Sequence, residues 1–295
     1  MKIDPGADYV LRVDKPVGPT SHDIVAQARR ALHTRRVGHT GTLDPFASGL
    51  LLLCVNRATR IAEFLSGLSK TYLATARLDG FTATDDHTGG LLEPNDAWRS
   101  LTAARIESAM RTLTGSIEQT PPAYSAKKVQ GERGYRRARR GETVELAPVR
   151  VQVDRLELLD LALPDVRFAV ECSSGTYVRA LARDLGRALG TGAYLTGLRR
   201  TRLGRFQVDD AIPAAALDHD ARVEQAALSP LEALSHLPAL EVGEEDAQRL
   251  RHGQAVVRTA AVARTLLVVT SHGELVALAR EDGQHLLPFK VWQAA

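Results

Sequence analysis

Apolar residues recur along this chain in two rhythms, and the rhythms divide it into short elements. Residues 9–13 (Tyr-Val-Leu-Arg-Val) read as a strand, and Ser21 is placed to cap a helix whose apolar face is Ile24, Ala28 and Leu32. The unbroken run from Leu50 to Val55 predicts a buried strand, and a helix follows with Ile61, Phe64, Leu65 and Leu68 on one side. Residues 70–78 alternate at period two like a half-buried strand, and residues 79–90 are polar and turn-rich. Residues 102–114 predict an amphipathic helix (Ile106, Ala109, Met110, Leu113) that Gly115 can end. Residues 149–159 and 166–173 alternate like antiparallel strands. Thr176 then reads as the cap of a helix with Val178, Leu181, Leu185 and Leu189 inward, and residues 198–206 as a basic strand. Composition shifts toward Ala, Asp and His at about 210–235. Beyond it, residues 266–269 and 275–278 predict short strands between glycine turns.

A hydrophobic content of 44% supports a real core. The net charge of +3 is too small to establish a nucleic-acid partner, but its distribution says more. Between residues 127 and 140 stand Lys127, Lys128, Arg133, Arg136, Arg137, Arg139 and Arg140 against the single acid Glu132. Tyr124 and Tyr135 are interleaved with them. Like charges this close repel unless an anion neutralises them, which favours phosphate contact over a solvated face. Cys54 and Cys172 lie in apolar surroundings far apart, as reduced core residues of a cytosolic protein do. The N-terminus has no signal-peptide core, and the apolar run 50–55 is too short to span a bilayer. A soluble cytoplasmic protein is expected.

The chemistry concentrates in the loop from Gly38 to Gly49 (GHTGTLDPFASG), between the first helix and the buried strand. Pro45 restricts Asp44 to extended backbone angles and so fixes where its carboxylate points. Taken alone, the loop has two readings: a turn capped by its own aspartate, or a functional carboxylate with His39 upstream.

The loop resembles the catalytic loop of the bacterial tRNA pseudouridine-55 synthases, the TruB family. The resemblance recurs in the same order at Lys15-Pro16-Val17-Gly18-Pro19-Thr20-Ser21, Lys70-Thr71-Tyr72 and Pro121-Pro122-Ala123-Tyr124-Ser125-Ala126-Lys127. It continues at Gly175-Thr176-Tyr177-Val178-Arg179 and Leu198-Arg199-Arg200-Thr201, spanning about residues 10–210. Each piece is weak alone, and the set is specific. The resemblance implies an α/β (α+β) catalytic domain on an antiparallel-rich mixed sheet, residues 1–235, with a basic RNA-binding insertion at about 121–145. Residues 236–295 resemble, more loosely, a small β-rich PUA-like RNA-binding domain.

The implied activity is isomerisation of uridine to pseudouridine at position 55 in the T loop of tRNA, which needs neither a cofactor nor a metal. Asp44 falls on the catalytic aspartate, as nucleophile at C1′ or as proton acceptor. Arg179, in the first turn of its helix where the dipole disfavours a cation, would be paired with that carboxylate. Tyr72 would stack on the extruded base and reach the C5 proton, Leu198 would wall the pocket, and Tyr177 and Lys15 would support the site. His39 and the seven cations would contact RNA. The chain departs from the family at Ala83, where an aspartate usually stands between two threonines; Asp85 and Asp86 are nearby. The T stem-loop of tRNA is the expected partner, with no membrane and no obligatory protein. A guide-dependent pseudouridylase of the dyskerin type would share these motifs, although the basic insertion favours a stand-alone enzyme. A non-catalytic RNA-binding module would leave Asp44, Tyr72 and Arg179 without a purpose. A glycoside hydrolase would need a second carboxylate flanking the bond.

Overall fold

The strand Ser48–Val55 lies at the centre of the molecule. In the computed structural model, which describes residues 4, 6–124, 128–129, 132–133, 146–257 and 266–292, its side chains alternate between two cores. Leu51, Leu53 and Val55 pack with the helix Ser21–Ala31, whereas Leu50, Leu52 and Cys54 pack with Ile61, Leu65, Phe206 and the C-terminal sheet. Burial on both faces is why this run is continuously apolar rather than alternating. Each such leucine contributes about 1.5–3 kcal/mol by leaving water.

Around it forms a large mixed sheet, antiparallel-rich as expected. Its strand order is Ile212–Pro213, Tyr9–Lys15, Ser48–Val55, Tyr194–Leu203, Lys70–Arg77, Asp165–Cys172, Val149–Ala162 and Gly115–Gln119. Parallel pairing occurs at Val13↔Ile212 and at Arg199↔Ser48; the other ladders along this order are antiparallel. Helices Ala103–Thr112 and Val178–Leu189 cover a third core over the middle strands, containing Tyr72, Phe168 and Leu181. The separate C-terminal sheet runs Ala239–Glu241, Leu266–Ser271, Glu274–Asp282, His285–Val291, Val256–Val257, with a helix at Glu244–Arg251 that the strand pattern alone missed. Val268, Leu278 and Trp292 share a core with Leu50 and Leu52, so the two sheets are packed together.

Two expected caps are corrected. Thr20, not Ser21, caps the first helix, in a capping box with Asp23. Ser21 sits one position too late: its hydroxyl is buried and bonds Leu43 instead. Nor does Thr176 cap the helix Val178–Leu189; Tyr177 occupies the cap position without a side-chain cap. The buried Gln119 supplies the missing partner, accepting from the Tyr177 amide (2.8 Å) and donating to its carbonyl (3.1 Å). The predicted contacts at Lys127, Arg136, Arg137, Arg139 and Arg140 lie outside the described residues, as do the side chains of Lys128 and Arg133.

Candidate active site

The Asp44 loop is held from three sides. The Ser21 hydroxyl accepts from Leu43 N–H (2.8 Å) and donates to the Leu43 carbonyl (3.2 Å). Gly18 N–H donates to the Pro45 carbonyl (2.8 Å), and Ala47 N–H closes the turn onto the Asp44 carbonyl (3.1 Å). Leu43 and Phe46 are buried beside the aspartate. Gly49 ends the loop at φ +106°, where a Cβ would lie 2.2 Å from the Arg200 carbonyl, so only glycine fits.

Lys15 anchors the supporting turn. It is fully buried, not the solvated charge that a lysine in a turn suggests. Its amine donates to the carbonyls of Pro16 (2.9 Å) and Pro19 (2.7 Å), folding the segment that carries Gly18. Burial is the main cause that lowers its pKa to about 8.

Arg179 grips Asp44 in a fork, Nε to Oδ2 at 2.9 Å and Nη2 to Oδ1 at 3.3 Å. Its remaining donors reach the carbonyls of Thr84 (2.8 Å) and Tyr124 (2.9 Å), and Asp86 lies 3.7 Å away. This buried cation is therefore satisfied despite its place near a helix N-terminus. Burial raises the pKa of Asp44 above its ordinary value, and Arg179 opposes that rise.

Asp44, Tyr72, Tyr177, Arg179 and Leu198 line one cleft of about 280 Å³, together with Lys70, Tyr124 and Arg200. Tyr72 is nearly buried, and burial raises its phenol pKa, so the group is neutral at physiological pH. His39 lies outside the cleft lining, edge-on to His22 with ring centroids 5.2 Å apart. Gly41 N–H donates to its Nδ1 (3.3 Å), and burial, ahead of His22 and Arg200, lowers its pKa to about 4. His39 is thus a neutral ring and adds no cation for RNA.

Four further neighbours complete the site: Asp85 and Asp86, noted in the sequence beside Ala83, and Lys70 and Arg200, to which sequence reasoning gave no role. Asp85 pairs with Arg183 at 2.9 Å, and Asp86 faces Arg179, so the segment after Ala83 does supply carboxylates to the helix that bears Arg179. Lys70 is buried, with its amine donating to the carbonyls of Ser66 (2.8 Å) and Leu68 (2.6 Å). Arg200 is buried and donates to the carbonyls of Leu50 (2.7 Å) and Gly41 (3.1 Å). The only signal for Lys70 and Arg200 was their place in the family motifs. Cys54 and Cys172 are buried free thiols. Among the described residues no group of three or more His, Cys, Asp or Glu side chains is placed to hold a metal. Among the same residues no helix is long and apolar enough to cross a membrane.

Comparison with known proteins identifies the family. The model of the TruB family pseudouridylate synthase N-terminal domain matches residues 29–178, and that of the tRNA pseudouridylate synthase B C-terminal domain matches residues 179–235. A tRNA pseudouridine synthase B of Mycobacterium sp. (strain KMS) is 44% identical over 278 residues, covering 93% of this chain and 92% of the relative. The protein of that name from Geobacillus thermodenitrificans is 44% identical over 284 residues, covering 92% and 94%. Among solved structures, an H/ACA RNP bound to a substrate RNA containing 2′-deoxyuridine superposes with a TM-score of 0.75 at 26% identity, covering 97% of this chain and 85% of that one. The chain belongs to the TruB family of pseudouridylate synthases.

Proposed function

We propose that this enzyme isomerises uridine to pseudouridine at position 55 in the T loop of tRNA, with Asp44 as the catalytic group. The observation that carries this reading is the carboxylate forked by Arg179 in a cleft shared with Tyr72 and Leu198. The target base is extruded from the RNA fold at a cost of a few kcal/mol and enters between the Tyr72 ring and Leu198. Ionised Asp44 then attacks C1′, or accepts the C2′ proton, as the N1–C1′ bond breaks. Arg179 aims the carboxylate and favours its ionised form against the effect of burial. The base turns and C5 bonds to C1′. A neutral phenol is a poor acceptor for the C5 proton, so Tyr72 serves by its ring face and its O–H rather than as a base. Tyr177 borders the entrance, Lys15 acts through the turn that supports Pro45, and His39 offers RNA a neutral ring.

The domain roles follow the same reading. Residues 1–235 carry the chemistry, the basic segment at 121–145 contacts the T stem-loop, and residues 236–295 form a PUA-like unit that adds RNA contacts. No protein partner, guide RNA or cofactor is required, and the enzyme works in the cytoplasm. The test is to incubate the purified protein with unmodified tRNA, without guide or cofactor, and to map pseudouridine by position. Conversion confined to position 55 is expected. Conversion only when a guide RNA is added would favour the dyskerin-type reading, and none under either condition would overturn the assignment.

A further inference from the structure

Arg200 differs from the other buried arginines of the site. Arg179 and Arg183 each meet an aspartate, but Arg200, only 1% exposed, forms no ion pair among the described residues. Lys70, also buried, forms none either. The two are neighbours: a carbon built on Gly41 would lie 3.5 Å from Arg200 Nη1 and 3.9 Å from Lys70 Cε, and both line the cleft beside Tyr72. Isolated buried charge is expensive, and backbone carbonyls compensate it only in part. Two buried cations on one wall of a cleft, with no carboxylate partner among the described residues, therefore suit an anion that arrives with the substrate. Asp44 is already engaged by Arg179.

We propose that Arg200 and Lys70 bind the detached uracil as its anion, holding the negative charge between N1–C1′ cleavage and C5–C1′ bond formation. The inference rests on the reaction assigned above. When N1–C1′ breaks, its electron pair leaves on the base and spreads over N1, O2 and O4. C1′ is taken by the Asp44 carboxylate, or the C2′ proton passes to Asp44 and later returns. Rebonding places an electron pair in C5–C1′, the C5 proton departs and N1 takes one up, so no oxidant, reductant or further reactant enters. Fixed cations at the site of developing charge lower the barrier to cleavage. Because the charge is delocalised, contact can pass from one base oxygen to the other as the ring turns. Lys70 is suited to this: its pKa, lowered to about 8 mainly by burial and then by Arg200, leaves it protonated at neutral pH.

The competing account makes Arg200 a staple of the catalytic loop, because its bonds to Gly41 and Leu50 span that loop. Leaving-group dependence separates the two. Single-turnover consumption of the target nucleotide is measured for Lys70→Gln, Lys70→Arg and Arg200→Gln on T-arm RNA carrying uridine or 5-fluorouridine, whose base is the more acidic leaving group. Filter binding and melting curves accompany each variant. Lys70→Gln and Arg200→Gln should each slow reaction of uridine by about 10²-fold, as loss of one charge-stabilising donor does. The defect should be at least about tenfold smaller with 5-fluorouridine, and RNA affinity should be unchanged. Lys70→Arg, which keeps the charge, should recover most of the rate. Equal defects on both bases, or none, would overturn the proposal. Should Arg200→Gln fail to fold, the Lys70 variants decide alone, since among the described residues Lys70 bonds only the carbonyls of Ser66 and Leu68, close to it in the chain. Asp44→Asn separates the layers: activity in it on either base would overturn the assigned reaction itself, whereas its inactivity leaves the cation test standing.

Discussion

Two arginines of the helix Val178–Leu189, Arg179 and Arg183, lie one turn apart, and each meets an aspartate from elsewhere in the chain. Arg179 forks Asp44 from the loop at 38–49; Arg183 meets Asp85 from the segment after Thr82, at 2.9 Å. In both aspartates burial raises the pKa and the arginine opposes it. The difference is access. The Asp44 side chain is 35% exposed and borders the cleft, whereas Asp85 and Arg183 are exposed only 11% and 10%. Arg183 is further held by the Thr120 carbonyl (2.7 Å) and Asp184 (3.1 Å). The same pair of groups is thus open to a substrate in one place and closed off in the other.

The largest expected effect breaks the open pair. Asn keeps the size and an accepting oxygen of Asp44 but cannot be an ionised nucleophile or proton acceptor. Asp44→Asn should abolish single-turnover conversion to the detection limit while RNA affinity stays within about tenfold, or ~1.4 kcal/mol. A folded Asp44→Asn protein that converts uridine at an appreciable rate would make the open pair as structural as the closed one. Next comes Arg179→Lys, which keeps a charge but loses the fork. Misaiming the carboxylate should slow turnover by about 10²-fold. The pH profile reports the same contact. On the proposed mechanism activity needs ionised Asp44, whose pKa is raised, so the rate should fall with decreasing pH through a value above the ordinary 3.8. Arg179→Met removes the main opposing charge and should move that acid limb to still higher pH. A limb that stays in place would deny the coupling.

The closed pair should answer in stability instead. Asp85 has φ +58°, a conformation that Asn adopts readily, so Asp85→Asn removes the charge without straining the backbone. It leaves the buried Arg183 without the countercharge of Asp85 and should cost about 2–3 kcal/mol in a denaturant titration. Turnover per folded molecule should stay within roughly tenfold of the parent. A stable Asp85→Asn protein with abolished turnover would mean that the closed pair takes part in the reaction.

The two pairs were unequally legible in the sequence. Period-two and helical spacing located the strands at 9–13, 50–55 and 70–78 and the helix following Tyr177, because burial of a face leaves its rhythm in neighbouring residues. The partnership of Arg179 with an aspartate was suggested by a cation near a helix N-terminus, a local conflict that demands compensation. Arg183 sits just beyond that turn and gave no such signal. Its partner Asp85 is 98 residues away, a pairing that only tertiary structure sets. Thr20 and Ser21 were confused because both are good caps, and the choice depends on Ser21 being drawn inward by Leu43. The burial of Lys15, Lys70 and Arg200 runs against residue preference, and no periodicity announces it. The C-terminal unit was legible as strands, but its docking on Leu50 and Leu52 was not, because an apolar residue does not name its partner.

The smallest expected effect lies between the two pairs, at Asp86. Its Oδ2 is 3.7 Å from Arg179 Nη1, so one arginine faces two carboxylates. Its Oδ1 accepts from Thr88 N–H (2.9 Å) and the Thr84 hydroxyl (2.8 Å), bonds that the oxygen of an asparagine can keep. Asp86→Asn should therefore preserve the local turn and remove only a charge. That charge is among the causes that raise the Asp44 pKa, after burial and against Arg179. Removing it lets Asp44 ionise more easily, so the acid limb of turnover should move to lower pH, opposite in sign to Arg179→Met and smaller. Well above that limb the rate should hardly change. A shift to higher pH would show instead that Asp86 acts by holding Arg179 in place: the loss of that hold would then outweigh the loss of like-charge repulsion, and Asp44, Arg179 and Asp86 would function as one three-membered unit rather than as a pair with a bystander.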